Sequence, residues 1–242
     1  MLDKKIFKQS DLVLQVTKKY DPIKLDFDEW EMYLDVLCGN REYQKEAIKN
    51  AIIFMASGKY NSTEDLVIEN YKSNSELQLK YPSITDYLDS LQIKNKISAN
   101  IDLATGTGKS YVIYGIAQIM LGIGLVKRVL VLCPSLTIEK GLTEKFLVLA
   151  SDAGLRATIP DSAEIKNPRI IDANETIRKG DICVENIHAV YSTTGSSIED
   201  SFKYGGEDTL VLNDEAHHIF NSLQGINASS TEEKTLRSGK SF

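Results

Sequence analysis

At 242 residues, 42% of them hydrophobic, the chain can bury a substantial core as one large domain or one domain with an appendage, which excludes disorder as its main state. A formal net charge of −6 argues against a stand-alone basic DNA-coating protein, although backbone amides and a local cleft can still hold phosphates. The longest apolar stretch, residues 111–126, is shorter than a bilayer span and contains Gln118, and the N-terminus MLDKKIFKQSD lacks the apolar core of a secretory signal, so a cytoplasmic protein without a membrane anchor is expected. Cys38, Cys133 and Cys183 are odd in number, far apart and in apolar company, as suits reduced thiols in a core.

Residues 1–40 are charged and aromatic, with Trp30, Tyr33 and Leu34 at helical spacing behind the turn-forming Asp21-Pro22, and read as an N-terminal extension. Residues 41–58 hold a helix over 41–55 (REYQKEAIKNAIIFM), with Tyr43, Ala47, Ile48 and Ile52 on one face and Ser57-Gly58 ending it. Residues 59–96 turn polar, with Pro82 in the middle, and read as an insertion with one or two short helices.

The core is expected over 97–242. Ile97, Ala99, Ile101 and Leu103 alternate as a strand would, then run into a Gly-rich turn and a long apolar helix. A buried strand follows at 128–133 (RVLVLC), ended by Pro134-Ser135, and then a helix over about 136–150. Residues 152–180 are irregular, a third strand-like run covers 182–191, and a fourth covers 209–213 (TLVLN). Short apolar runs separated by helices predict the α/β class: a parallel sheet covered by helices on both faces.

Two motifs carry chemistry. Thr105, Gly106, Thr107, Gly108, Lys109 and Ser110 lie between the first expected strand and the long helix, which is the setting of a P-loop. There glycines let backbone N–H groups turn inward as an anion nest, the helix N-terminus adds its positive end, and Lys109 brings a mobile charge to the β and γ phosphates of ATP. Ser110 is placed to put its hydroxyl on Mg²⁺. The usual first glycine of the pattern is replaced by Leu103. The second motif, Asp214-Glu215-Ala216-His217, follows TLVLN directly, so both carboxylates fall at the carboxyl end of a strand, where ligands of open α/β sheets bind. Asp214 is expected to hold the magnesium shell, and Glu215 to orient or deprotonate the attacking water.

These residues resemble motifs I and II of superfamily 2 helicases and translocases in the DEAH spelling, which implies a RecA-like P-loop domain over residues 41–242. In that superfamily a glutamine upstream of the P-loop reads adenine, and Gln44 stands at the matching place; an amide suits the task because it offers an acceptor and donors side by side. A solvated helix position is the plain alternative. Pro134 and Ser135 resemble motif Ia, and Asn186 and His188 resemble motif Ib, both of which contact the nucleic-acid backbone in the family; a strand end and a core-facing histidine are the alternatives. YDPIKLDFDEW, the REYQKEAI helix, DLATGTGKSYVIYGIA, LVLCPS, VENIHAVY and VLNDEAHH together resemble the restriction (Res) subunit of type III restriction–modification enzymes over most of the chain. That resemblance implies a DNA-dependent ATPase that moves along double-stranded DNA, pairs with a modification (methyltransferase) subunit and delivers a separate nuclease domain. His218 could couple nucleotide state to DNA, whereas a metal site on the adjacent His217 and His218 is disfavoured by their geometry.

A second RecA-like domain, with the arginine that stabilises the transferring phosphate, is not legible, nor is a nuclease constellation, so a fragment that binds ATP but turns it over weakly is expected. Another superfamily 2 helicase acting on DNA or RNA, and a non-catalytic nucleotide-binding or assembly module, are the alternatives.

Overall fold

The computed structural model describes residues 9–89, 91, 95–172, 174–187 and 206–215. In chain order they form α1 (Glu31–Cys38), α2 (Glu42–Ala56), α3 (Thr63–Ser73), α4 (Ser75–Lys80), α5 (Ile84–Leu88), α6 (Lys109–Gly122), β1 (Arg128–Cys133), α7 (Leu136–Ser151), α8 (Ala153–Arg156), β2 (Arg169–Ile171), β3 (Asp181–Asn186) and β4 (Thr209–Asn213), with short 3-10 turns at Gln9–Leu12 and Asp28–Trp30. One compact unit takes the described residues up to Phe27 and those of Glu46–Asp102, and the second takes Asp28–Lys45 and the described residues from Leu103 on.

In the first unit, Phe54, Tyr60 and Leu66 pack with Leu14, Val16 and Met55, while Val67, Tyr81 and Tyr87 gather Leu12, Tyr71 and Leu77 around them. Three helices stand where one or two were expected between 59 and 96. The Asn- and Ser-rich composition supplies helix caps there rather than loop: the Asn74 side chain accepts from the Glu76 and Leu77 amides, and Ser83, directly after Pro82, accepts from the Thr85 amide. Pro82 therefore sits ahead of a helix start instead of breaking one.

The strand expected at 97–103 does not form, although its sequence alternates. Its backbone groups are claimed from elsewhere: the Thr63 hydroxyl donates to the carbonyls of Lys96 and Ser98, and the Ser98 amide donates back to Thr63 Oγ1. Ile97 and Ile101 stay 38% and 43% exposed, so alternation here marks no buried face.

The second unit is built on a four-stranded, all-parallel sheet in the order β2-β3-β1-β4, flanked by helices. Val129–Cys133 of β1 and every residue of β3 are buried, so the central pair is covered on both faces; β1 reads as an apolar run, whereas β3 also buries Asp181, Glu185 and Asn186. Leu130, Leu132 and Cys183 form one such face with Ile171 and Ile177. β1, α7 and β4 lie within a residue of their expected positions. β3 ends at Asn186, and residues 188–191 of the third expected strand lie outside the described residues, as do the His217 and His218 positions. β2 and α8 arise in the segment read as irregular.

α6 is buried almost all round from Val112 on, as its mostly apolar composition demands. Gln118 is fully buried and donates from Nε2 to the Ile165 carbonyl at 2.9 Å, which lets a polar group sit inside that helix. All three cysteines are free and buried; burial pushes the Cys133 and Cys183 thiols up to about 12 and Cys38 to about 11, as expected of structural rather than reactive thiols. Where α6 ends, a methyl on Gly122 would lie 2.3 Å from Cη2 of Trp30, itself 2% exposed. Gly122→Ala therefore overpacks a filled site and is expected to cost about 1–3 kcal/mol, read as a fall in thermal melting midpoint; an unchanged midpoint would mean that Trp30 does not pack there.

No described helix is long and apolar enough to cross a membrane.

Candidate functional site

The parallel sheet brings the ends of β1, β3 and β4 together. Leu132 pairs with Glu185 on one side and with Asn213 on the other, and the Asp214 amide donates to the Leu132 carbonyl at 2.8 Å, carrying the ladder one residue past β4. The chain then turns: Glu215 has φ +54°, a left-handed conformation uncommon for a non-glycine residue.

The Gly-rich turn 105–108 enters α6 with Gly106 and Gly108 at φ +81° and +79°. Only glycine takes such angles without strain, and the turn is tightened by the Thr107 hydroxyl and amide, which donate to the Ala104 carbonyl at 2.6 and 3.3 Å. Gly108 is the N-cap of α6 and offers no side-chain cap, so the first amides of the helix are not satisfied by a capping side chain. Such an end is an anion site by construction.

The structure joins the two motifs. Lys109 Nζ donates to Glu215 Oε1 at 2.6 Å, with the side chains 28% and 24% exposed. Beside them the Asp214 carboxyl is raised above the usual range, first by burial and next by repulsion from Glu215, against the opposing pull of Lys109. A cation at Asp214 relieves both causes. Among the described residues no group of three or more His, Cys, Asp or Glu gathers into a cage. With so few protein carboxylates gathered there, Asp214 fits Mg²⁺ completed by phosphate and water oxygens better than a metal held by protein alone.

Gln44 is fully buried, not solvated. Its Nε2 donates to the Thr107 carbonyl at 2.6 Å and approaches the Gly108 carbonyl at 3.4 Å, while its Oε1 is buried without a hydrogen-bond partner among the described residues. Tyr43 Oη donates to the same Thr107 carbonyl at 2.9 Å. The sequence had placed Tyr43 on the apolar face of the helix; it is 45% exposed, and the buried face runs through Gln44, Ile48 and Ile52. Tyr111, next to Ser110, takes Lys145 Nζ over its ring at 4.4 Å and the Arg41 guanidinium at 5.7 Å. Neither Tyr43 nor Tyr111 stood out in the sequence, because a tyrosine in a helix reads first as packing.

Pro134, Ser135 and Asn186 fall on the adjoining ends of β1 and β3. Their polar groups turn inward in this structure: Ser135 Oγ caps α7 by accepting from the Ile138 amide, and the Asn186 amide groups donate to Glu139 Oε2 and Glu185 Oε1 at 2.9–3.1 Å. His188, His217 and His218 lie outside the described residues.

A parallel α/β sheet, a glycine turn opening a buried helix, and an acidic strand end in contact with the turn's lysine define a P-loop domain of the helicase-like ATPase class. The family model of the type III restriction enzyme, res subunit, matches residues 37–237, most of the chain, and the chain belongs to that family. The matched span contains Gln44, the P-loop, Asp214 and Glu215. No curated protein and no solved structure matches it significantly.

Proposed function

We propose that residues 41–242 form the first RecA-like unit of a DNA-dependent ATPase motor of a type III restriction enzyme, with residues 1–40 as an extension and 59–96 as an insertion. The observation that carries this reading is the Lys109–Glu215 contact, which joins side chains 106 positions apart in sequence at one sheet end. Thr105, Gly106, Thr107 and Gly108 cradle the phosphates of ATP, and Lys109 leaves Glu215 to pair with the β and γ phosphates. Ser110 and Asp214 hold Mg²⁺, which when bound neutralises phosphate charge. Glu215, released from Lys109, accepts the proton of the attacking water. Gln44 contacts the adenine. Double-stranded DNA is the track, a methyltransferase subunit the partner, and the cytoplasm the place of work.

Pro134, Ser135, Asn186 and His188 are the proposed DNA-backbone contacts. In this reading Asn186 must release Glu139 or Glu185 to reach DNA, which makes it the member most dependent on a rearrangement.

The test is ATP hydrolysis by the full protein with and without double-stranded DNA. Stimulation of about tenfold or more is expected, because a motor couples turnover to its track. Full hydrolysis without DNA would overturn the motor reading, and stimulation by RNA alone would move it to another helicase of the superfamily.

A further inference from the structure

Asn186, at the end of β3, presents two donors side by side, its backbone N–H and its side-chain Nδ2. One carboxylate oxygen, Glu139 Oε2, accepts from both, at 3.1 and 2.9 Å. Glu185 Oε1 shares the same two donors at 3.0 and 2.9 Å. Turning the amide over would set Oδ1 against two carboxylates, so the side on which Nδ2 lies is fixed by chemistry. The two acids differ in freedom. Glu185 precedes Asn186 on the strand, is 5% exposed and pairs with Leu132 in the ladder, so it moves with β3. Glu139 reaches across from the first turn of α7, is only partly buried, and can let go by rotating its side chain. Ser135 Oγ caps that turn, and the Glu139 amide donates to the Ser135 carbonyl at 2.9 Å, so one helical turn ties the Ser135 position to Asn186.

Resting on the reading of Asn186 as a contact to the DNA backbone, we propose that its paired donors seat one phosphate oxygen, and that the Glu139 carboxylate fills this seat until DNA displaces it. Backbone amides and asparagine side chains are regular donors to DNA phosphates. A carboxylate oxygen resting on two N–H groups stands as a phosphate oxygen would. Displacement puts one anion in the place of another, so the charge set against buried Glu185 does not grow. Entry without displacement is opposed, because three anions would then share the three hydrogens that the two nitrogens carry. Glu139 is thus a positioning residue: it acts through Asn186 and sets how readily this strand end accepts DNA.

The experiment is a fluorescence-anisotropy titration of a labelled DNA duplex with the full protein, at fixed salt and Mg²⁺. Glu139→Ala is expected to bind the duplex about three- to tenfold more tightly, the range of one hydrogen bond no longer broken on binding. Glu139→Gln, which keeps an acceptor but not the charge, should shift in the same direction by less. In an Asn186→Ala background the Glu139→Ala change should alter affinity less than twofold. Unchanged or weaker binding by both Glu139 variants would overturn the proposal while leaving the DNA-motor reading intact. A gain that persists undiminished in the Asn186→Ala background would overturn it as well, since loss of negative charge alone would then explain the effect. Absence of duplex binding by the parent and every variant would remove the DNA reading and this inference with it.

Discussion

Glu215→Gln is expected to lower ATP hydrolysis by about 10²–10⁴-fold while leaving ATP bound, the range that a positioned general base contributes. Glutamine keeps the length and shape of the side chain, so the turn at φ +54° and the approach to Lys109 can persist, but the group can no longer take a proton from water. The pair is about a quarter exposed on each side, where solvent limits an ion pair to about 1 kcal/mol or less. Weakening it frees Lys109 for phosphate at little cost, and ATP affinity is expected to stay level or rise by a few fold. Single-turnover hydrolysis beside equilibrium nucleotide binding separates the two effects. Hydrolysis within about threefold of the parent would remove Glu215 from the chemistry. Loss of binding in parallel would make it a structural support of the P-loop instead.

The sequence was most legible where a short apolar run has clear stops. RVLVLC and TLVLN became β1 and β4 at their expected limits, the first as a buried central strand and the second as a half-exposed edge, because Pro134-Ser135 and Asp214-Glu215 punctuate their ends. It was least legible where a distant side chain decides. Nothing local to 97–103 reveals that Thr63 will take the Lys96 and Ser98 carbonyls at its start, and β2, three residues long, leaves no period to read. The residues of the candidate site were legible through motif spacing, but their arrangement was not. Helix periodicity alone could not choose between Tyr43 and Gln44 as the buried position, because 3.6-residue repeats tolerate a one-residue rotation of the face. What decides is Gln44 Nε2 finding two carbonyls of a turn 63 and 64 positions away, a partner no local pattern contains.

The two left-handed glycines of the turn should respond unequally to the same substitution, and the difference isolates the role of Gln44. At Gly106 a Cβ meets no protein atom within 4 Å, so Gly106→Ala adds only the strain of a non-glycine residue at φ +81°, about 1–2 kcal/mol, which the free turn sheds by relaxing and ATP binding must restore, or about tenfold in nucleotide affinity. Gly108→Ala adds that strain at φ +79° and also drives a methyl to 2.6 Å from Gln44 Nε2 and 3.3 Å from Tyr111 Cδ2. Gln44 cannot withdraw freely, since it is fully buried and its amide would be left without the Thr107 carbonyl. An unsatisfied buried amide costs a further 1–3 kcal/mol or so, which brings the expected loss for Gly108→Ala to about 100-fold or more in ATP affinity. Titration with a fluorescent ATP analogue at fixed Mg²⁺, with circular dichroism to confirm that both variants fold, measures the contrast. Equal losses would mean that the Gln44 bridge does not hold the turn, and a greater loss at Gly106 would mean that its Cβ meets the phosphates themselves. A Gly108→Ala, Gln44→Ala double variant settles the assignment: with the clashing amide removed, the glycine substitution should cost no more than at Gly106.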